Sequence, residues 1–140
     1  MNFDNVAVVA ELERVCFPDN PWSLNSFIYE IQNPLSVYRT AYLAGALAGY
    51  IGMHHILDEG HITNIAVLPT VRGCGIAAAL VENMLEYAQE YSIKFLTLEV
   101  RPSNRAAISL YLRHGFEPAG RRKNYYPNPP EDALLMTKYL

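Results

Sequence analysis

The sequence predicts a single α/β domain of 140 residues in which a mixed β-sheet carries helices on both faces. After two helical segments, the first half has the pattern of an antiparallel hairpin followed by a third strand. The second half alternates strand, helix, strand, helix and strand, which favours parallel pairing through right-handed crossovers. A chain of this length supports one hydrophobic core, and its 51% apolar content suits a globular protein.

Two short helices are predicted before the first strand. Apolar residues recur at helical spacing from Val6 to Val15, and Asp4 precedes them as a candidate N-cap. Ser23 is the candidate N-cap of the second helix, which has its own apolar face and is expected to end near Asn33.

Three strands follow these helices. Residues 36–44 and 46–57 are rich in β-branched and aromatic side chains, and Gly45 between them predicts a hairpin. A turn is expected at residues 58–60 and a third strand at residues 61–68.

The period changes to that of a helix between Gly75 and about residue 90, with one face predicted to be buried: Ala78, Val81, Leu85 and Ala88. A short apolar strand is predicted at residues 94–100. Asn104 is a candidate cap for a fourth helix, and Gly115 suits the position just after it. Two final strands, residues 116–126 and 132–140, complete the predicted sheet.

Charge and cysteine usage restrict the compartment and the partners. A net charge of −3 argues against nucleic acid as a direct partner, because binding phosphates requires a basic face. Cys16 and Cys74 lack metal-ligand spacing, and the neighbouring His54 and His55 face opposite sides of a strand, so we expect no metal site. The N-terminal segment lacks the features of a signal peptide and no apolar run could span a bilayer, so we expect a cytoplasmic protein without membrane contact.

A glycine-containing loop, RGCGIA, lies between the third strand and the third helix. Free amide groups at a helix start, the helix dipole and the small size of glycine together favour an anion site. The loop lacks the lysine of a Walker motif and the third glycine of a Rossmann fingerprint. It fits the pattern R-x-x-G-x-A through Arg72, Gly75 and Ala77, and a plain structural turn is an equally good explanation of these residues alone.

The loop resembles the pyrophosphate loop of the Gcn5-related N-acetyltransferases (GNAT), which bind acetyl-CoA. A second segment of that family is matched by Asn104, Ala107, Tyr111, Gly115 and Phe116. Three longer stretches resemble the ribosomal-protein-alanine N-acetyltransferases within the family: NIAVLPTVRGCGIAAAL, LEVRPSN and RRKNYYPNPPEDALLM. The resemblance implies a GNAT-like fold with antiparallel N-terminal strands and a central parallel pair.

The resemblance also implies a set of residues that bind acetyl-CoA. Backbone groups at the end of the third strand would hold the pantetheine arm and the thioester: Ile65, Ala66 and Val67. Loop and helix amides would hold the pyrophosphate: Gly73, Cys74, Gly75, Ile76, Ala77 and Ala78. Arg72 would add a charge-assisted contact, and Asn104 matches a position that touches CoA, although it could equally be only a helix cap.

Two residues are the expected catalytic groups. Strand alternation places Glu99 on the face of Thr97 and opposite Leu98, and the resemblance makes Glu99 the general base; a salt bridge to Arg101 or Lys94 is the structural alternative. The resemblance makes Tyr111 the general acid that protonates the leaving CoA thiolate, and core packing is its alternative.

The expected acceptor is a protein N-terminus, most specifically the N-terminal alanine of a small-subunit ribosomal protein. The resemblance places Trp22, Tyr125 and Tyr126 along the peptide groove, although each could be a packed aromatic residue. Another N-terminus or a small amine as acceptor, or a non-catalytic CoA-binding domain, remain alternatives. The presence of both Glu99 and Tyr111 favours an enzyme.

Overall fold

Four helices and six strands, with one 3₁₀ turn, form the computed structural model, which describes residues 1 to 140. In chain order they are α1 (Val6–Cys16), α2 (Leu24–Gln32), β1 (Ser36–Leu43), β2 (Ala46–Ile56), β3 (Glu59–Val67), the 3₁₀ turn (Pro69–Val71), α3 (Ile76–Glu90), β4 (Phe95–Val100), α4 (Arg105–Arg113), β5 (Glu117–Tyr126) and β6 (Glu131–Tyr139). Every helix and strand that the sequence predicts is found, within a few residues of its predicted bounds.

All six strands form one sheet in the order β1-β2-β3-β4-β6-β5. The predicted antiparallel hairpin of β1 and β2 and the parallel pair of β3 and β4 are confirmed. The expectation of parallel pairing throughout the second half is wrong for β5, because β6 lies between β4 and β5 and pairs antiparallel with both. The chain therefore ends by inserting a strand next to the centre of the sheet.

Side-chain caps begin two of the helices as predicted. The Ser23 hydroxyl accepts the Ser26 N–H at 3.1 Å at the start of α2, and Asn104 Oδ1 accepts the Ala107 N–H at 3.2 Å at the start of α4. The predicted Asp4 cap of α1 is wrong. The capping position is Asn5, whose side chain accepts the N–H of a preceding residue instead of capping the helix.

The turn between β2 and β3 is shifted relative to the prediction. Leu57 adopts a left-handed φ of 54°, so the chain reverses at residues 57–58 and β3 begins at Glu59 rather than at residue 61. Gly60 is paired within the ladder, opposite His55. A Cβ atom at position 60 would lie 2.4 Å from Leu96 Cδ2, so this glycine serves close packing and not the turn.

Two hydrophobic clusters cover the two faces of the sheet. One contains residues of α3 and α4 against β2, β3, β4 and β6, including Met84, Leu96 and Leu98. The other contains α1 and α2 against β2 and β3, including Val9, Phe27 and Tyr50. Because α1 and α2 pack on β2 and β3, the same face of β4 is left to carry polar side chains.

The buried face of α3 is rotated slightly from the prediction. Val81 and Ala88 are fully buried as expected, but Ala78 and Leu85 are only partly buried. Leu80 and Met84 take their places in the core, because the sheet below α3 faces the side of the helix on which they lie.

Truncation of a core leucine should show how strongly the central strand is packed. Leu96 is 0% exposed and Leu57 is 90% exposed, so they form a matched pair. We expect Leu96→Ala to lower the free energy of unfolding by about 2–5 kcal/mol, and Leu57→Ala by less than about 0.5 kcal/mol. Urea denaturation followed by circular dichroism measures both; equal losses would contradict the assignment of the core.

Candidate functional site

The central parallel strands separate and leave a gap in the sheet. The β3–β4 ladder covers Glu59 to Ile62 on one strand and Phe95 to Leu98 on the other. Beyond Ile62, β3 continues to Val67 with β2 as its only partner. The edge of β3 that faces β4 therefore offers backbone donors and acceptors over residues 63–67 that no strand pairs.

A β-bulge lies at the point of separation. Gly52 pairs with Asn64 and Met53 with Ile62, so Thr63 is an extra residue in β3. A bulge bends its strand and increases the local twist, which directs β3 away from β4. The Asn64 side chain holds this segment, since its Nδ2 donates to the Tyr50 hydroxyl at 2.8 Å and its Oδ1 accepts from Thr63 Oγ1 at 2.9 Å.

A buried carboxylate continues this hydrogen-bonded chain toward α1. The Tyr50 hydroxyl donates to Glu13 Oε1, and Glu13 Oε2 accepts the Trp22 N–H at 3.0 Å. Glu13 is only 2% exposed, and this burial raises its pKa, while the two hydrogen bonds lower it. The chain Glu13–Tyr50–Asn64 thus links the segment between α1 and α2 to the bulge.

The gap opens into a cavity of about 370 Å³. Its walls come from the α1–α2 segment, from β3 and β4, from the start of α4 and from the β5–β6 loop: Glu13, Cys16, Phe17, Pro18, Asp19, Asn20, Trp22, Ile62, Thr63, Asn64, Ile65, Leu98, Glu99, Val100, Arg101, Asn104, Ala107, Tyr111, Tyr126, Asn128 and Pro129. Five elements that are distant in sequence therefore meet at one site.

Glu99 lies in this cavity with both carboxylate oxygens in contact with cationic or polar groups. Oε2 is 2.9 Å from His61 Nε2, and Oε1 is 3.4 Å from Arg122 Nε. The hydrogen bond from His61 lowers the pKa of Glu99, and burial opposes that shift. The predicted alternation is confirmed, since His61 also contacts Thr97, at 2.7 Å from Nδ1 to Oγ1, on the same face.

The alternative salt bridges considered for Glu99 are not formed. Arg101 pairs with Glu131 at 3.2 Å and Lys94 pairs with Asp58 at 3.2 Å. The sequence pattern did not identify His61 as a partner, because that contact depends on the parallel register that places His61 opposite Thr97.

Tyr111 reaches the same cavity from α4. The residue is 4% exposed and its ring packs edge-on against Phe116, with centroids 5.6 Å apart. Its hydroxyl makes no hydrogen bond to a protein group. Since every fully buried side-chain polar atom in the protein has a hydrogen-bond partner, this hydroxyl is not fully buried, and it faces the cavity that Tyr111 lines. Burial raises the pKa of Tyr111, which keeps the phenol protonated at neutral pH.

The glycine loop lies beyond the far end of β3, outside this cavity. Gly73 and Gly75 have φ values of +85° and +80°, and a Cβ at either position would have no neighbour within 4 Å. The backbone N–H groups of residues 73–78 donate no hydrogen bond within the protein. A run of six free amides at the start of a 15-residue helix is a suitable site for an anion.

Arg72 attaches this loop to the end of β3. Its Nε donates to the Val67 carbonyl at 3.1 Å, and Cys16 Sγ approaches the same oxygen at 3.4 Å. No carboxylate pairs with the Arg72 guanidinium, whose charge also acts on the nearby Cys16 thiol. Ala66 is buried against α1 and α2, while Ile65 lines the cavity.

The three aromatic residues predicted at the acceptor side differ in position. Trp22 lines the cavity and packs on Phe27, with ring centroids 5.6 Å apart. Tyr126 lines the cavity beneath the Arg101 guanidinium, which lies 4.5 Å from its ring centroid. Tyr125 is 48% exposed and lies against Tyr126, outside the cavity lining.

Asn20 connects the two outer walls of the cavity. Its Nδ2 donates to the Asn128 carbonyl at 3.2 Å, which joins the α1–α2 segment to the β5–β6 loop. The lining carries three carboxylates, Glu13, Asp19 and Glu99, and one cation, Arg101. Arg101 is paired with Glu131, and Glu99 is paired with Arg122. The cavity therefore favours a positively charged or amine ligand.

The sequence predictions also concern the adjacent histidines, the second cysteine and the helix lengths. His54 bonds Glu30 on one side of β2 while His55 bonds the Tyr87 hydroxyl at 2.8 Å, so the two rings face apart as expected. Cys74 is exposed and unpaired. None of the helices is both long enough and apolar enough to cross a membrane.

Comparisons with known proteins agree with this geometry. The model of the Acetyltransferase (GNAT) family matches residues 6–116. The ribosomal protein bS18-alanine N-acetyltransferase of Escherichia coli (strain K12) is 38% identical over 120 residues, which cover 83% of this chain and 79% of the relative. The crystal structure of the ribosomal-protein-S18-alanine N-acetyltransferase from Escherichia coli matches with a TM-score of 0.92 and 30% identity, over 99% of this chain and 90% of that one.

A more distant structure shares the fold with a bound ligand. The PaiA N-acetyltransferase from Thermoplasma acidophilum, in complex with coenzyme A, matches with a TM-score of 0.82 and 15% identity, over 100% of this chain and 96% of that one. These matches confirm the predicted fold class and the predicted family.

Removing one hydroxyl should test the chain that holds the bulge. Tyr50→Phe leaves Glu13 with one donor fewer and Asn64 Nδ2 without its acceptor, so we expect a loss of about 1–3 kcal/mol in the free energy of unfolding. Tyr29→Phe is the matched control, because Tyr29 is 67% exposed. Urea denaturation should show less than about 0.5 kcal/mol for the control; a similar value for Tyr50→Phe would contradict the proposed chain.

Proposed function

The chain belongs to the acetyltransferase (GNAT) family, and we propose that it transfers the acetyl group of acetyl-CoA to the N-terminal α-amine of a ribosomal protein. One observation supports this function most directly. A carboxylate, Glu99, and a phenol without a hydrogen-bond partner, Tyr111, line the same cavity, which opens at the gap between β3 and β4. Direct acyl transfer requires one group that accepts a proton and another that donates one.

Acetyl-CoA would bind through backbone groups of two segments. The free amides of residues 73–78 suit the pyrophosphate, and the Nη groups of Arg72 add positive charge beside them. The unpaired edge of β3, with Ile65 in the cavity wall, suits the amides of the pantetheine arm. Asn104 can serve both predicted roles, because its Oδ1 caps α4 while its amide nitrogen remains free.

The residues at the cavity would handle two protons. As the amine nitrogen bonds to the acetyl carbon, it gives up a proton to Glu99, directly or through water, and the carbon–sulfur bond breaks. Tyr111 would protonate the departing sulfur. Glu99 would then release its proton to solvent and Tyr111 would regain one, which restores both groups. Burial raises the pKa of Tyr111, so the phenol carries its proton in the free enzyme but is a weaker acid than a free tyrosine. The position of its hydroxyl in the cavity supports the role, not its acidity.

The charge of the cavity supports an amine acceptor. The lining carboxylates outnumber the one lining arginine, and Arg122 faces Glu99 from outside the lining, so the remaining excess of negative charge favours an amine at this site. A free α-amine has a pKa of about 7.7–8.0 and a lysine side chain one of about 10.4, so far more of the α-amine is neutral at pH 7.5. A single carboxylate is an adequate base for the first acceptor but a weak one for the second.

The relatives support the finer choice of substrate. The Escherichia coli relative and the Escherichia coli crystal structure compared above both carry a name that specifies the alanine of ribosomal protein S18, and the structural match covers nearly all of this chain. We therefore propose an N-terminal alanine of a ribosomal protein as the acceptor here, with Trp22, Tyr125 and Tyr126 along the entry for the peptide. Because such a substrate is synthesised in the cytoplasm, the enzyme would act there.

A pair of glycine substitutions should test the proposed pyrophosphate site. Gly75 and Gly45 have nearly the same left-handed φ, +80° and +82°, and both have open space where a Cβ would lie. Gly75→Ala places a methyl group where a phosphate must approach, so we expect the acetyl-CoA KM to rise about tenfold or more, since lost contacts of about 1.4 kcal/mol give that factor. Gly45→Ala carries a similar backbone strain in the β1–β2 turn and should leave KM unchanged; equal KM values would exclude the site.

Removing the phenol proton should test the role of Tyr111. Tyr111→Phe keeps the buried ring, so we expect kcat to fall by about 10²–10⁴-fold with little change in CoA affinity. Tyr139→Phe, at a residue that is 79% exposed, is the control and should keep its activity. Single-turnover kinetics and calorimetry measure the two quantities; a decrease below about threefold would rule out general acid catalysis by Tyr111.

The position of the acetyl group should test the acceptor. We expect a peptide that begins with alanine and contains internal lysines to be acetylated on the α-amine, and the same peptide with a blocked N-terminus to be inert. Glu99→Gln should lower kcat by about 10²-fold or more. Fragment-ion mass spectrometry locates the product, and acetyl groups mainly on lysine would overturn the proposed substrate class.

A further inference from the structure

We infer that His61 is a positioning residue for the catalytic base: it orients the Glu99 carboxylate toward the acceptor amine. This inference rests on the proposed function, in which Glu99 is the base. His61 lies on β3 beside the site and does not line the cavity, so it would act through Glu99 and not on the substrate.

The imidazole ring is held at both nitrogens. Nδ1 lies 2.7 Å from Thr97 Oγ1 and Nε2 lies 2.9 Å from Glu99 Oε2. When the Thr97 hydroxyl donates to Nδ1, a neutral ring carries its hydrogen on Nε2 and donates it to Glu99. Thr97 and Glu99 lie on the same face of β4, so one strand supplies both the support and the acceptor.

The second contact of Glu99 is a weaker constraint. Arg122 Nε is 3.4 Å from Oε1, and the arginine side chain is 59% exposed. Exposed ion pairs contribute little, because water screens the charges and long side chains lose conformational entropy. The His61 contact is shorter, its side chain is less exposed, at 39%, and Thr97 holds its ring from the other side, so it does most to define the direction of the carboxylate.

Loss of His61 would have two opposing effects on catalysis. The hydrogen bond from His61 is the largest cause of the lowered pKa of Glu99, so its removal makes the carboxylate more basic. A more basic group gains a few-fold in rate at most through its Brønsted dependence. Misplacement of a reacting group by about 1 Å can cost about 10²-fold, so the loss of orientation outweighs the gain.

Three substitutions separate orientation from volume. We expect His61→Ala to lower kcat by about tenfold, with the KM values of acetyl-CoA and peptide nearly unchanged. His61→Gln places an amide nitrogen near the position of Nε2 and should restore kcat to within about threefold of the wild type. His61→Asn reaches only the position of Nδ1, beside Thr97, and should not restore it.

Titration of Glu99 gives a measurement that does not depend on activity. The charged or titratable groups that face Glu99 are His61 from β3 and Arg122, Tyr125 and Tyr126 from β5. Carbon-13 NMR of the Glu99 carboxyl, assigned with the Glu99→Gln variant, should show a higher pKa in His61→Ala than in the wild type. His61→Gln should return the pKa of Glu99 part of the way, since it restores one hydrogen bond.

The outcomes distinguish this inference from the proposed function. If Glu99→Gln leaves kcat unchanged, the assignment of the base is wrong and the inference fails with it. If Glu99→Gln lowers kcat while His61→Ala does not, or if His61→Asn restores activity as well as His61→Gln does, only the inference is overturned. Support requires the predicted order of the three variants and no further loss of kcat when His61→Ala is added to Glu99→Gln.

Discussion

The β-bulge at Thr63 is the constraint on which the site depends. Without the extra residue, β3 and β4 could remain paired along their length, and neither an unpaired backbone edge nor a cavity would exist between them. A bulge in a central strand requires support, because it removes ladder hydrogen bonds from the middle of the sheet. Asn64 provides that support locally, and Tyr50 and Glu13 carry it to the helical layer.

The same polar chain joins the two halves of the proposed reaction. Glu13 holds the backbone of Trp22 at the acceptor wall, while Asn64 at the other end holds the strand beside which acetyl-CoA would lie. A buried carboxylate is destabilising unless it is hydrogen-bonded, and both oxygens of Glu13 accept a hydrogen bond. We interpret the role of Glu13 in the core as fixing the positions of the Trp22 backbone and β3 relative to each other. An apolar residue at position 13 could not make the hydrogen bonds that connect them.

The sequence predicted the caps of α2 and α4 and the parallel pair of β3 and β4, but not the cap of α1 or the side-chain contacts between strands. Ser23, Asn104 and Gly115 have roles set by nearby backbone groups, so their residue types are sufficient to predict helix ends. The bulge at Thr63 and the contact between His61 and Glu99 depend on strand register, which the packing of the whole sheet determines. Glu13 was open to prediction, because it falls on the apolar face of α1, four residues after Val9.

The unsatisfied groups of this structure have a common arrangement. The amides of residues 73–78 and the Tyr111 hydroxyl lack protein partners, and no strand pairs with the β4-facing edge of β3 over residues 63–66. Together these groups extend from the start of α3 to the cavity. Water can satisfy them in the free protein, and a ligand with a phosphate at one end and an extended chain of amides, as proposed above for acetyl-CoA, would pair with them together. Because such a ligand binds the folded state alone, its binding free energy adds to the stability of the chain. The unpaired edge of β3 removes hydrogen bonds from the centre of the sheet, and bound acetyl-CoA would replace them.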